Sequence, residues 1–412
     1  MQFDAKSSIK PLIAALLALI LCSNVALTGG AGQNQVDSRL TVASTRFSFK
    51  LYNEVLKQQK NKNTFVSPAS AMLALAMTYN GADGTTRQAM ARALEIDGMS
   101  VDEANRAFAD LKAALAPADP RIQLKIANSL WASNRFTLNP AFVKTNEQHF
   151  AAEIASLDFS DPSAAGAINA WVDKNTEGKI RKIVEEIKAD AVLFLINAIY
   201  FKGAWKFEFK KENTRNDVFR LPGGEQKQLP MMSQSGSYFY YKGKDFQSIA
   251  LPYGNGRVSM YLFLPDEQSS LDQFQQNLTP ENWETWMRSF RPSPGDLMLP
   301  RFKVEWESQL KDELIALGMG EAFNPERANF SRIAQPNSGK ELFISEVMQK
   351  TWCEVNEEGT TAAAVTSVVV SVTSAQEPRE KFTMKVDRPF FFAIRDNQTG
   401  VVLFMGSIKD PR

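Results

Sequence analysis

Residues 360–376 read Thr-Thr-Ala-Ala-Ala-Val-Thr-Ser-Val-Val-Val-Ser-Val-Thr-Ser-Ala-Gln, seventeen positions without a charge, a proline, a glycine or an aromatic ring. Valine and threonine give the stretch high strand propensity. Its flanks are of another kind: Glu357-Glu358-Gly359 before it, Glu377-Pro378-Arg379-Glu380-Lys381 after it. Charged flanks with a proline mark an exposed excursion, yet the segment between them is strand material. Most strands are shorter than about eleven residues. Left uncovered, the Val368-Val369-Val370 centre would invite aggregation. A chain that keeps such a segment needs a slot to receive it.

The rest of the chain supplies material for that slot. Residues 192–201 (VLFLINAIYF) form a near-continuous apolar run, as expected of a strand covered on both faces. Asn197 lies inside the run and must find hydrogen-bond partners there. Residues 258–264 are a second strand, and 389–394 and 401–405 are two more, joined by a hairpin turn ending in Gly400. Phe47, Leu51, Val55 and Leu56 recur at helical spacing, which predicts a helix over 45–59. Ser67-Pro68 opens another, apolar on most sides and therefore buried. A third covers 85–93, capped by Asp83, Thr85 or Thr86. Leu310, Leu314 and Leu317 predict a helix over 308–317 that stops at Gly318. Helices dominate the first half and strands the second, and no linker divides residues 40–412. The reading is one mixed α+β domain.

Lys plus Arg number 47 and Asp plus Glu 46, so the net charge is +1. That balance gives no bulk attraction to nucleic acid. One histidine and two cysteines leave too few ligands for a zinc site or an iron–sulfur cluster of the usual kinds, and no other cofactor is expected. A G-x-S-x-G elbow, a P-loop lysine and a paired-histidine helix are all missing. The acid pair Glu185-Glu186 reads as a solvated helix face. Cys353 reads as a small buried hydrophobe, and His149, its sole candidate partner, as part of a helix end. An enzyme is not expected.

Lys6 and Lys10, the apolar run 11–21 and small residues up to Gly32 have the layout of a secretory signal over residues 1–31. The expected location is extracellular or periplasmic. Cys22 offers the alternative of a membrane-anchored lipoprotein, although Leu21 stands where a lipobox has a small residue.

In order, six blocks of sequence resemble the serpin family across residues 40–412. The first is Asn63 to Ser70 (NTFVSPAS), with ALAM ending at Met77 and NGADG ending at Gly84. The second joins INAWV, from Ile168, to TEGKI, from Thr176. The third is NAIYFKGAW, from Asn197 to Trp205. LPRF ends at Phe302, VNEEGT runs from Val355 to Thr360, and DRPF from Asp387 precedes FMG, ending at Gly406. The resemblance implies three β-sheets, about nine helices and an exposed reactive-centre loop over about 357–381, within one domain over 32–412. It implies a suicide-substrate inhibitor of serine, or alternatively cysteine, endopeptidases, working as a monomer. The alternative within the family is a noninhibitory binding or chaperone-like protein.

Residue by residue, the resemblance carries the following expectations. The hinge is Glu357, Gly359 and Thr360. On insertion of the cleaved loop, Thr360, Ala362, Ala364, Thr366, Val368 and Val370 turn inward, since side chains alternate faces along a strand; all are small or apolar. The family's scissile bond follows the seventeenth residue counted from Glu357, which gives Thr373-Ser374. Counting back from Pro389 gives Pro378-Arg379, but few proteases cut after proline. Thr373, beside Val372 and Val370, suits an elastase- or subtilisin-like protease. Ser67, Ser70, Asn197 and Gln349 map beneath the central sheet, and Trp205 maps to the gap where insertion begins. Gln349 departs from the histidine common in the family. Arg106 and Lys112 are too sparse for a glycosaminoglycan site. Lys202, Lys206, Lys210, Lys211 and Arg215 read as a solvated face.

Overall fold

The computed structural model describes residues 36–59, 62–116, 119–188, 190–336, 342–360 and 380–411. Among these, the strands fall into sheets of nine, six and two strands. Eight α-helices of six residues or more accompany them, with a ninth, broken helix over 311–323. The class is α+β, as expected. One strand, Gln226–Lys242, explains the size of the largest sheet. It pairs with Arg291–Pro300 along much of its length and with Phe246–Tyr253 at its end, so two groups of strands merge into one.

The six-stranded sheet matters most for function. Its order is Phe302–Gln309, Glu346–Asn356, Gly359–Thr360, Leu193–Ala204, Ile122–Ser133 and Glu153–Leu157. Leu193–Ala204 lies at its centre and is buried at every position but Lys202. Phe194, Ile196 and Ala198 pack with Ile168 and Val172 of helix Ala164–Asn175. Leu195, Ile199 and Phe201 belong to the main core on the other face. Helix Pro68–Tyr79 lies on that face, wedged between this sheet and strand Val402–Ile408 of the large one. All twelve of its residues are buried, which is why it carries no polar stripe. Ser67 caps it and Pro68 opens it, as the sequence predicts.

Three expectations need correction. The first helix spans Ser38–Gln58, not 45–59; the Asp37 carboxylate caps it by accepting from the Arg39 N–H at 2.8 Å. Ser308 and Gln309 end a strand, Phe302–Gln309, whose burial alternates with period two. The leucine spacing hides this alternation. Helix starts only at Lys311 and breaks at Gly318, whose φ is 100°. Glu185 and Glu186 lie on no helix; they are exposed in the irregular segment before Leu193–Ala204.

Candidate functional site

The central sheet is forked. Its lower part is closed: Glu346 through Trp352 run parallel to Phe194 through Tyr200, in direct register. Above Trp352 and Tyr200 the two strands part. Gly359–Thr360 fills the top of the gap, antiparallel to both neighbours, with Thr360 opposite Val355 on one side and Gly203 on the other. Thus the first residues of the loop segment already sit as a strand in the sheet.

A tight turn makes this possible. Asn356 accepts from the N–H groups of Glu358 at 3.0 Å and Gly359 at 3.2 Å through its Oδ1. Gly359 has φ 147°, and a Cβ there would lie 2.1 Å from the Gly203 carbonyl oxygen. Only glycine fits. Trp205 walls the gap: its indole N–H donates to the Asn356 carbonyl at 2.9 Å, and its ring stacks on Tyr253 at 4.3 Å. The Tyr253 hydroxyl is 2.7 Å from Thr360 Oγ1, and Thr360 is fully buried.

Glu357, expected as the start of an exposed loop, is instead only 2% exposed. Arg301 Nε donates to its carboxylate at 2.9 Å, and the Thr214 hydroxyl donates too. Burial pushes the Glu357 carboxyl up, but these two donors outweigh burial and hold it below its ordinary value. Lys211 pairs with Glu358 at 2.6 Å. The hinge is therefore anchored, and residues 357–360 are not part of an exposed loop. Ala362, Ala364, Thr366, Val368, Val370, Thr373 and Ser374 lie outside the described residues, as do the signal segment and Cys22.

Lower in the sheet, the structure brings Ser67, Ser70, Asn197 and Gln349 together. Gln349 accepts from the Ser67 N–H and donates to the Ser67 carbonyl, each at 2.9 Å. It also donates to Asn197 Oδ1 at 2.5 Å. Asn197 donates in turn to Ser70 Oγ and to Asn128 Oδ1. The Ser67 hydroxyl reaches the Leu403 carbonyl at 2.6 Å. Ser67, Ser70, Asn197 and Gln349 are each at most 1% exposed, so the cluster locks the closed part of the fork to helix Pro68–Tyr79 and to the large sheet. Gln349 lies six positions below Val355, about 20 Å along the strand. Trp205 belongs to the gap and not to this cluster.

Sequence reasoning missed Asn128, Tyr253, Arg301 and Thr214. Asn128 stands opposite Asn197 in the strand register, and all four depend on pairings and tertiary contacts that the structure supplies. It also missed a strap over the front of the fork. The turn after helix Ala164–Asn175 is pinned by Thr176, whose Oγ1 bonds the Val172 and Ile180 carbonyl oxygens and the Ile180 N–H. Glu177 on that turn pairs with Lys125 at 3.1 Å, and Lys179 Nζ lies 5.4 Å from the Trp352 ring centre. Trp352 is the last closed position of the fork.

Cys353 is buried, and burial pushes its thiol well above the usual range. It is thus unsuited to nucleophilic work. Among the described residues, no group of three His, Cys, Asp or Glu is placed to hold a metal ion, and no helix is long and apolar enough to cross a membrane.

The family model described as serpin (serine protease inhibitor) matches residues 42–411. The human leukocyte elastase inhibitor is 34% identical over 388 residues, 90% of this chain and 100% of that protein. The native structure of the thermophilic serpin tengpin superposes with a TM-score of 0.83 at 33% identity, covering 91% of this chain and 95% of that one. Human thyroxine-binding globulin, solved in complex with thyroxine, gives a TM-score of 0.82 at 25% identity, covering 90% of this chain and 98% of its own.

Proposed function

The chain belongs to the serpin family, and from that premise we propose that it is a secreted, monomeric suicide-substrate inhibitor of an elastase- or subtilisin-like serine protease. Proteins of this family insert their reactive loop into the central sheet as an added strand. Here the protease serine attacks the Thr373 carbonyl carbon. The Thr373–Ser374 amide breaks, the proton leaves with the Ser374 amine, and an ester to Thr373 remains. The loop then enters the sheet before water can hydrolyse that ester, and the attached protease is distorted.

The observation that carries this reading is the two-residue strand Gly359–Thr360, seated antiparallel to both neighbours above a closed fork. Continued at the same register, Ala362 would face Cys353 and Phe201, and Thr366 would come between Gln349 and Asn197. Insertion therefore replaces the Gln349–Asn197 bond with a threonine hydroxyl. It exchanges one parallel interface for two antiparallel ones. About ten added ladder bonds at roughly 1 kcal/mol each give a gain of order 10 kcal/mol. That rivals the stability of a whole domain and is enough to deform a tethered active site.

The test is a denaturing gel after incubation with elastase-, subtilisin- and trypsin-type proteases. We expect a complex stable to denaturant with one of the first two, and a small carboxyl-terminal fragment starting at Ser374. A fragment starting at Glu380 would contradict the assignment of the bond. Thr360→Arg is expected to be cut at the same bond without trapping protease. Position 360 is already buried at the top of the gap, so an unpaired charge there costs several kcal/mol and unseats the short strand from which insertion would proceed. Absence of any complex with wild type would favour the second reading, a noninhibitory binding protein; thyroxine-binding globulin shows that the fold can be found with a small-molecule ligand.

A further inference from the structure

Lys409 is only 7% exposed. Asn63 Oδ1 accepts its backbone N–H at 2.7 Å, so its side chain departs from a fixed point. The ammonium reaches one acceptor, Asp272 Oδ1 at 3.2 Å. An ammonium carries three donors, so two remain without a partner among the described residues. Buried charges are ordinarily paired and fully hydrogen-bonded. The single partner is itself loosely held: the Asp272 side chain is 73% exposed.

This ammonium borders open space. Lys409 and Asp272 line both a cavity of about 320 Å³ and a wider groove of about 960 Å³. The smaller cavity has apolar walls from Leu221, Pro222, Pro265, Leu271 and Pro389. Its other two cations are already committed. Arg220 pairs with Glu267 and Asp387, each at 3.0 Å. Arg388 pairs with Asp387 at 2.8 Å and donates to the Pro265 carbonyl. Lys409 is the most sparsely partnered of the three, with one acceptor where each arginine has two. On the groove side, Lys50 and Lys57 pair with Glu95 and Glu54. A largely apolar cavity of this size with a few charged groups at its rim is the usual make-up of a small-molecule site.

We propose that the smaller cavity binds an organic carboxylate with a compact apolar body, whose carboxylate takes the place of Asp272 on Lys409. The body covers the proline and leucine wall. Asp272 turns out into water, which its exposure makes inexpensive. The charged head of the ligand supplies the buried Lys409 ammonium with a charged acceptor, and such charge-assisted bonds are the stronger ones. None of the cavity's lining residues belongs to the fork or to the hinge, so the site stands whether or not the chain inhibits a protease.

The competing carboxylate makes the test sharp. Binding of 1-naphthoate to the full chain is measured by calorimetry, with 1-naphthalenemethanol as the neutral counterpart and inorganic phosphate as the bare anion. Wild type is expected to bind naphthoate and neither control. Asp272→Asn removes the competitor and should tighten naphthoate binding several-fold, while Lys409→Met should weaken it by about ten-fold or more. The Asp272→Asn variant alters an exposed side chain, so it remains informative should Lys409→Met fail to fold. Absent naphthoate binding, weaker binding in Asp272→Asn, unchanged binding in Lys409→Met, or equal binding of the alcohol or of phosphate would each overturn the proposal.

Discussion

Gln349 stands where histidine is common in the family, and it makes the bonds a neutral imidazole could make, donating and accepting at once. It does not titrate. Glu357 does, but its carboxyl is held below its ordinary value. A depressed carboxyl contributes stability above the unfolded pKa of about 4.3 and loses it only as pH falls through the lower folded value. Neither group changes charge between pH 6 and 8. We therefore expect the rate of loop insertion to stay flat across that range in wild type. In Gln349→His the imidazolium would have to be buried, so the cluster should loosen in acid. Insertion and polymerisation should then run several-fold faster at pH 6 than at pH 8. Rates measured across the range check this, and equal profiles for the two proteins would count against it. The cluster was legible in the sequence only through its family blocks, because residues 67, 70, 197 and 349 are far apart in the chain. Gly359 needed the structure as well. Its sequence position shows a hinge, but only the 2.1 Å approach to Gly203 shows why no other residue fits.

At the scale of elements, the proposed insertion would be governed by the fork and the strap across it. Insertion must part Glu346–Asn356 from Leu193–Ala204 beneath the turn that carries Glu177 and Lys179. That turn must lift. A cation–π contact at an exposed site is worth about 0.5–1 kcal/mol, so Lys179→Met is expected to speed insertion by about two- to five-fold. Stopped-flow fluorescence of a labelled loop measures the rate; no change would remove the strap from the mechanism. Of the two strands of the fork, Leu193–Ala204 was readable from its apolar run, whereas Glu346–Asn356 was not read as a strand. The short strand Gly359–Thr360 was not readable either, because two residues have no period. The helix read over 308–317 was begun three residues too early for a physical reason: Leu310, Leu314 and Leu317 suggest one stripe, but Ser308 and Gln309 continue the alternation of Phe302–Gln309 and the helix starts at Lys311. Elements with one strong periodicity are legible, and elements shaped by neighbours on both sides are not.

At the scale of the whole molecule, the account makes the intact protein a metastable one. Its central sheet is closed below and holds the short strand Gly359–Thr360 above, and under the proposed mechanism the segment that follows enters the sheet only once the loop is cut. Cleavage is, under that mechanism, the step that releases the segment to insert. The difference between the two states is then the added strand, a gain of order 10 kcal/mol. Thermal unfolding, followed by circular dichroism on the intact protein and on protein cut once within the loop, reads that difference directly. The account predicts that the cut form melts higher by at least about 10 °C. A cut form that melts at or below the intact one would contradict it, since the loop would then have found no place in the sheet.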